Sequence, residues 1–254
     1  MRIVLAGDRE ISVRVLDFIH ARNVKLSGLC VSKGKKSSHA YELVKRCGYL
    51  SSREIIVGKL FREKQGLELL SELNPDYIIG VHFPYIIPKP VLAIPRLGVL
   101  NLHPAYLPYN RGWHTPSWSI LEGTPYGATL HFMDEGIDTG DIVHQKEIKI
   151  NIDDTAHSLY QRVLQAEYSV FTDCWSDIIN ESLKRKPQIS NKGTAHKPDE
   201  LLSPQVQMIN LNSTIKVKEI FDRLRALSTN DISEAAYFIH DGKKYRVRID
   251  IQPE

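Results

Sequence analysis

The chain has 254 residues, 42% of them hydrophobic and 25% charged, which is enough apolar material for a large core in a globular protein. Its 33 Lys and Arg residues are scattered among 30 acidic ones for a net charge of +3, so no polybasic nucleic-acid surface is indicated, and no apolar run approaches a membrane span. Cys30, Cys47 and Cys174 are odd in number, widely spaced and not arranged as Cys-x-x-Cys, so neither a disulfide framework nor a thiolate zinc site is suggested, and they are expected as buried or half-buried free thiols. The N-terminal apolar run is too brief for a signal segment, so a reducing cytoplasm is the expected location.

Residues 2–6 form an apolar β run, and Ile11, Val15, Leu16, Phe18 and Ile19 make a helical stripe before a second β run from Leu26 to Val31, a βαβ opening. A helix over Ala40 to Cys47, a strand over Ile55 to Val57 and a helix over Leu67 to Leu73 follow, the last stopped by Asn74-Pro75. Tyr77 to Val81 is a short, wholly apolar strand of the kind buried on both faces in a parallel sheet. His82 to Pro90 holds three prolines in nine residues and reads as an ordered loop leading to a short helix. Val99 to His103 is a strand ended by Pro104. A helix near Pro116 to Leu121, a strand over Ala128 to Met133, a turn-rich stretch to Asp141 and a strand from Ile142 to Ile150 come next. Asp154 or Thr155 can cap a long helix with apolar positions at Leu159, Val163, Ala166, Val170 and Ile178.

Periodicity then disappears over residues 181–205, a connecting segment. Val217, Ile220, Phe221, Leu224 and Leu227 make an amphipathic helix, and two β runs flank Asp241-Gly242, a type I′ hairpin signal. The order of elements predicts an α/β fold, Rossmann-like and doubly wound, with a mostly parallel sheet. The expected organisation is a main domain over 1–185, then a linker and a small C-terminal helix and β-hairpin subdomain over 186–254.

In open α/β sheets ligands gather beyond the carboxyl ends of the strands. Asn101 and His103, two residues apart at such an end, point to one face, so a carboxamide and an imidazole converge. Downstream, Met133 to Ile142 packs three aspartates, a glutamate and two glycines into one loop. A carboxylate from it would orient His103; taken alone, the loop fits an acidic surface turn as well. No His-Glu-x-x-His, Gly-x-Ser-x-Gly or Gly-x-Gly-x-x-Gly occurs, which disfavours a zinc hydrolase, a serine hydrolase and a nicotinamide or flavin site, and no metal is expected.

The run Asn101-Leu102-His103-Pro104-Ala105-Tyr106-Leu107-Pro108-Tyr109-Asn110-Arg111-Gly112, followed by Asp134-Glu135-Gly136-Ile137-Asp138-Thr139-Gly140-Asp141, closely resembles the N10-formyltetrahydrofolate-dependent formyltransferases in order and spacing. That resemblance implies N10-formyltetrahydrofolate as formyl donor and Asn101, His103 and Asp138 as catalytic residues. It implies folate contacts at Phe83, Tyr85, Ile86 and Ile87, and at Met133, Asp134, Glu135 and Gly136. The run Arg111 to Trp118 looks like the branch acting on nucleotide-linked amino sugars, with dTDP-4-amino-4,6-dideoxyglucose the type resembled most, for cell-surface polysaccharide (O-antigen) synthesis. Arg9, His82, Arg111, Trp113, His114, Thr115 and Tyr237 are then candidate contacts to the acceptor, although each has an ordinary packing or surface role open to it. A dTDP-3-amino or GDP-4-amino sugar, methionyl-tRNA or glycinamide ribonucleotide, and a silent folate or nucleotide binder are the alternatives. The hairpin is marginal alone, so a homodimer through the C-terminal subdomain is expected.

Overall fold

The computed structural model describes residues 1–34, 37–189 and 192–252. In chain order the elements are β1 (Ile3–Gly7), α1 (Arg9–His20), β2 (Gly28–Val31), α2 (Ala40–Arg46), β3 (Ile55–Val57), α3 (Lys64–Leu73), β4 (Tyr77–Val81), α4 (Lys89–Leu92) and β5 (Gly98–His103). They continue with β6 (Arg111–Gly112), α5 (Thr115–Glu122), β7 (Tyr126–Phe132), β8 (Ile142–Ile148), α6 (Ala156–Ile179), β9 (Ala195–His196), α7 (Pro204–Gln207), α8 (Val217–Ala226), β10 (Ala236–His240) and β11 (Lys243–Val247). The chain divides into two compact units that interleave in sequence: Met1–His103, Thr129–Gln145 and Glu167–Gln188 form the first, Pro104–Ala128, Lys146–Ala166 and Ile189–Glu254 the second. No helix among the described residues is long and apolar enough to cross a membrane.

The strands of the main sheet run in the order β3-β2-β1-β4-β5-β7-β8. The pairings from β3 to β5 are parallel, and β7 joins β5 antiparallel, so the expected mostly parallel α/β sheet is present. Strands β1 and β4 are buried along their whole length, which is why both read as unbroken apolar runs. All five apolar positions expected to face inward on α1 are buried. Phe18 on that helix meets the rings of Tyr168, Phe171 and Trp175 edge-on. Asn74 ends α3 in the left-handed region at φ 45°, and Pro75 prevents continuation. All three cysteines are free and buried, and burial pushes the Cys30 thiol up to about 12.

In the second unit, Thr155 is the cap of α6: its hydroxyl accepts from Ser158 N at 3.2 Å while Thr155 N donates back to Ser158 Oγ at 3.0 Å. Leu201, Leu227 and Ala236 form a small core with Trp118, Leu121 and Leu224 packed on it. Arg225 is buried, and its guanidinium donates to the carbonyls of Asp154 and Asn151 at 2.8 and 2.6 Å and to the Asp222 carboxylate at 3.0 Å. Strands β10 and β11 pair across Asp241 and Gly242, both at positive φ (48° and 72°), as the type I′ signal requires. The stripe expected on α8 is buried only at its C-terminal end; Val217 is 69% and Phe221 48% exposed. The strand expected to reach Ile150 ends at Ile148. The segment expected to be a plain connection contains more order: β9 pairs with β6, and Lys186 bridges Ile142. Its residues 190 and 191 lie outside the described residues.

Asp76 anchors the start of β4 by accepting from Arg2 N at 2.6 Å and from Arg96 Nε at 2.8 Å. The Arg2 amide first, and the Arg96 guanidinium after it, hold the Asp76 carboxyl below its ordinary value. A carboxyl lowered in the folded state contributes stability that is fully present above its unfolded value near 4 and is lost as pH falls through the lower folded value. Asp76→Asn is therefore expected to cost roughly 1–3 kcal/mol at pH 6, with the deficit shrinking toward pH 3. Urea midpoints of the two proteins across that range check this, and a pH-independent difference would refute it.

Candidate active site

Strand β5 reads Gly-Val-Leu-Asn-Leu-His; Leu100 and Leu102 are buried on one face while Asn101 and His103 share the other. Antiparallel pairing with β7 sets Asn101 opposite His131 and His103 opposite Thr129, so four polar side chains line one face of two strands. On the other flank Gly80 of β4 is the register partner of Asn101. A Cβ there would lie 3.1 Å from Asn101 Oδ1, so the glycine leaves the carboxamide its space.

Asp138 arrives on the loop after β7. Asp134 Oδ1 accepts from Gly136 N at 3.0 Å and Thr139 Oγ1 at 2.6 Å, which closes the loop on itself. Phe132 N donates to Asp141 O at 2.8 Å, and a Cβ on Gly140 would lie 2.1 Å from Phe132 O, so only glycine fits this approach. Asp138 itself takes φ 52°. Its carboxylate then spans the two strands: Oδ2 is 3.5 Å from His103 Nε2, while Oδ1 is 3.3 Å from Asn101 Nδ2 and 3.5 Å from His131 Nε2. The structure thus brings Asn101, His103 and Asp138 together.

His131 has no surface exposure, and its Nδ1 lies 2.8 Å from the Phe132 carbonyl, which can only accept. Nδ1 therefore carries a proton directed at that carbonyl, and Nε2 faces Asn101 Nδ2 at 3.2 Å and Asp138 Oδ1 at 3.5 Å. Sequence reasoning missed His131 by treating 128–133 as an apolar strand. The signal was the alternation of Thr129 and His131 within it. Gln188 was also missed: its Nε2 donates to the carbonyls of Asp138 and Gly140, both at 2.8 Å, from a segment that has no periodicity.

Among the predicted folate contacts, Ile87 is part of the core, with Phe83, Tyr85 and Met133 packed against that core. Phe83 and Tyr85 stand edge-on at 5.1 Å, and Ile86 is exposed. Asp134 and Gly136 form the loop closure described above, and Glu135 pairs with Lys89 at 2.7 Å. Arg9 is exposed at φ 67°, its carbonyl accepting from Ser12 Oγ. Arg111, Trp113, His114, Thr115 and Tyr237 belong to the second unit. There Arg111 is in β6, Trp113 N donates to His196 O, and His114 contacts Pro198 O and Glu234. Thr115 Oγ1 donates to Pro104 O, and Tyr237 is buried with Lys244 and Arg246 over its ring. No group of three or more His, Cys, Asp or Glu among the described residues is arranged to hold a metal ion.

His82, one residue beyond β4 at φ 50°, places Nε2 2.8 Å from Oε1 of Glu167, which is fully buried and whose Oε2 has no hydrogen-bond partner. Removing the imidazole alone strands a buried carboxylate. His82→Leu is expected to destabilise by about 3–5 kcal/mol, and His82→Leu/Glu167→Leu to recover most of it. A urea-denaturation double-mutant cycle measures this; additive single effects would contradict the coupling.

Comparison with known proteins bears on this geometry. Residues 30–174 match the formyl transferase family, and residues 204–253 match the N-formyltransferase dimerization C-terminal domain. The dTDP-4-amino-4,6-dideoxyglucose formyltransferase of Mycobacterium tuberculosis is 30% identical over 187 residues, covering 74% of this chain and 79% of that enzyme. The crystal structure of a 4-N formyltransferase from Francisella tularensis superposes with a TM-score of 0.84 at 26% identity, covering 100% of this chain and 98% of that one. The formyltransferase PseJ from Anoxybacillus kamchatkensis, in complex with UDP-4,6-dideoxy-4-formamido-L-AltNAc and tetrahydrofolate, gives a TM-score of 0.55 at 26% identity over 78% of this chain and 86% of that one. Methionyl-tRNA formyltransferases match as well: this chain spans 64%, 55% and 62% of the lengths of three of them, and 78% and 77% of those from Francisella philomiragia and Ruminiclostridium cellulolyticum. With the first match covering more than half of its residues, the chain belongs to the formyl transferase family.

Proposed function

We propose that this chain transfers the formyl group of N10-formyltetrahydrofolate to the amino group of a nucleotide-linked deoxy amino sugar, with dTDP-4-amino-4,6-dideoxyglucose as the acceptor, in the cytoplasm and for cell-surface polysaccharide (O-antigen) synthesis. The observation that carries the reading is the Asp138 carboxylate, 3.5 Å from His103 and 3.3 Å from Asn101.

The acceptor amine attacks the formyl carbon, a new C–N bond forms, and negative charge grows on the formyl oxygen. Asn101 Nδ2 donates to that oxygen. Its contacts to His131 and Asp138, 3.2 and 3.3 Å long, are at the weak end of the hydrogen-bond range and are readily exchanged for a developing oxyanion. His103 takes the proton lost by the attacking nitrogen and returns it to N10 as the bond from carbon to N10 breaks. Asp138 orients the imidazole and balances its charge while it is protonated. Phe83, Tyr85, Ile86, Ile87 and the 133–136 backbone hold the pterin, and Arg9, His82, Arg111, Trp113, His114, Thr115 and Tyr237 are the residues assigned to the acceptor.

The amino-sugar acceptor is favoured by near-complete mutual coverage with the Francisella tularensis 4-N formyltransferase. A homodimer is supported by the match over 204–253 and by the exposed apolar side chains Val217, Phe221, Ile239 and Tyr245. The test is a screen of dTDP-linked 4-amino and 3-amino deoxysugars, GDP-linked 4-amino sugars, glycinamide ribonucleotide and methionyl-tRNA with N10-formyltetrahydrofolate, read by product mass. Formylation of the dTDP-4-amino sugar is expected, and product only from tRNA or the ribonucleotide would defeat the reading. Asn101→Ala, His103→Asn and Asp138→Asn are each expected to lower turnover by about 10²–10⁴-fold. Parental turnover in any of them would remove that residue from the mechanism.

A further inference from the structure

Asp138 reaches both His103 and Asn101 from a backbone held in the left-handed region at φ 52°, which costs a non-glycine residue energy unless the surroundings enforce it. Within the loop, Asp134 accepts from Gly136 N and from Thr139 Oγ1, the second bond closing across Asp138. Downstream, Ile142 and Lys186 exchange both backbone hydrogen bonds, at 2.9 and 2.8 Å. Carrying that antiparallel register two residues further sets Gln188 opposite Gly140. From there the carboxamide Nε2 of Gln188 donates to Asp138 O and Gly140 O at 2.8 Å each, so its two N–H bonds close the turn that bears the carboxylate. Gly140 has no room for a Cβ against Phe132 O, which leaves the turn no alternative packing on that side.

We infer that Gln188 is a positioning residue for the transfer: through two hydrogen bonds to the 138–140 turn it holds the Asp138 carboxylate between His103 and Asn101. The inference rests on the proposed role of Asp138, and the side chain that performs it comes from outside both of the motifs that carry the family resemblance. Both of these bonds end on backbone carbonyls, and the carboxamide is uncharged, so replacing it by methionine leaves the charges of the site unchanged. A carboxylate displaced by about 1 Å is enough to cost up to about 100-fold in rate.

The experiment compares parent, Gln188→Met and Gln188→Glu. Methionine keeps the length and bulk of the side chain without the donors, and glutamate sets a carboxylate against two carbonyl oxygens. Thermal denaturation identifies which variants are folded. Turnover with the acceptor found by the screen is expected to fall about 10- to 100-fold in kcat for Gln188→Met and further for Gln188→Glu, with KM for both substrates within about threefold of the parent. Hydrogen exchange by mass spectrometry, which needs no substrate, is expected to run about tenfold faster over 134–142 in Gln188→Met and to be unchanged over β1 and β4. Parental kcat in a folded Gln188→Met, a loss carried by KM alone, or unaltered exchange over 134–142 would overturn the inference. If the parent itself formylates none of the acceptors, the functional reading fails, and the exchange measurement still decides whether Gln188 holds the turn.

Discussion

Asn101 and His131 face each other across an antiparallel strand pair, and because side chains on a strand alternate with a period of two, the register of that pair sets everything at the candidate site. A slip of one residue would send Asn101 and His103 to one face and Thr129 and His131 to the other. Three features pin the register. Leu100 and Leu102 must stay buried, Gly80 must stand beside Asn101, and Met133 N donates to Val99 O at 2.7 Å just past the last rung. The Asp138 carboxylate can serve both strands only because this register is held.

The polar groups of the first unit are placed at a cost in stability. A buried Glu167 with one unpartnered oxygen, a fully buried Asp8 whose Oδ2 has no partner, and Asp138 at positive φ are all features that a chain selected for stability alone would lack. Asp8 and His82 lie next to each other, one residue beyond the paired ends of β1 and β4 at Gly7 and Val81, and His103 ends the neighbouring strand. The carboxyl edge of the parallel sheet is therefore its polar edge, as open α/β folds require of the side that meets ligands. The apolar interiors of β1 and β4 supply the burial that offsets these groups.

The two histidines near Asp138 differ in kind although both lie close to the same carboxylate. His131 is held by its Nδ1 contact to the Phe132 carbonyl, which turns Nε2 toward Asn101. His103 has its Nε2 facing Asp138 Oδ2 across 3.5 Å, a separation that a proton on the ring would shorten. The two histidines thus stand on different strands, and a single carboxylate links them.

Local features of the chain determined most of the elements. Apolar periodicity located α1 and the amphipathic start of α8, an unbroken apolar run located β4, Asn74-Pro75 ended α3, and Asp241-Gly242 made the hairpin, since each depends on neighbours within a few residues. The Asn-x-His strand end and the Asp-Thr-Gly-Asp loop were legible for the same reason, each being a short contiguous signal. What only the tertiary structure decided lies across long sequence separations. The pairing of Asn101 with His131 spans 30 residues, the grip of Gln188 on Asp138 spans 50, and the partnership of His82 with Glu167 spans 85. The α8 stripe, of which Val217 and Phe221 remain exposed, shows the converse: periodicity marks a face as apolar without saying what covers it. Spacing along the chain constrains which side chains share a face, but which faces meet is settled by strand order and register, and no local pattern encodes those.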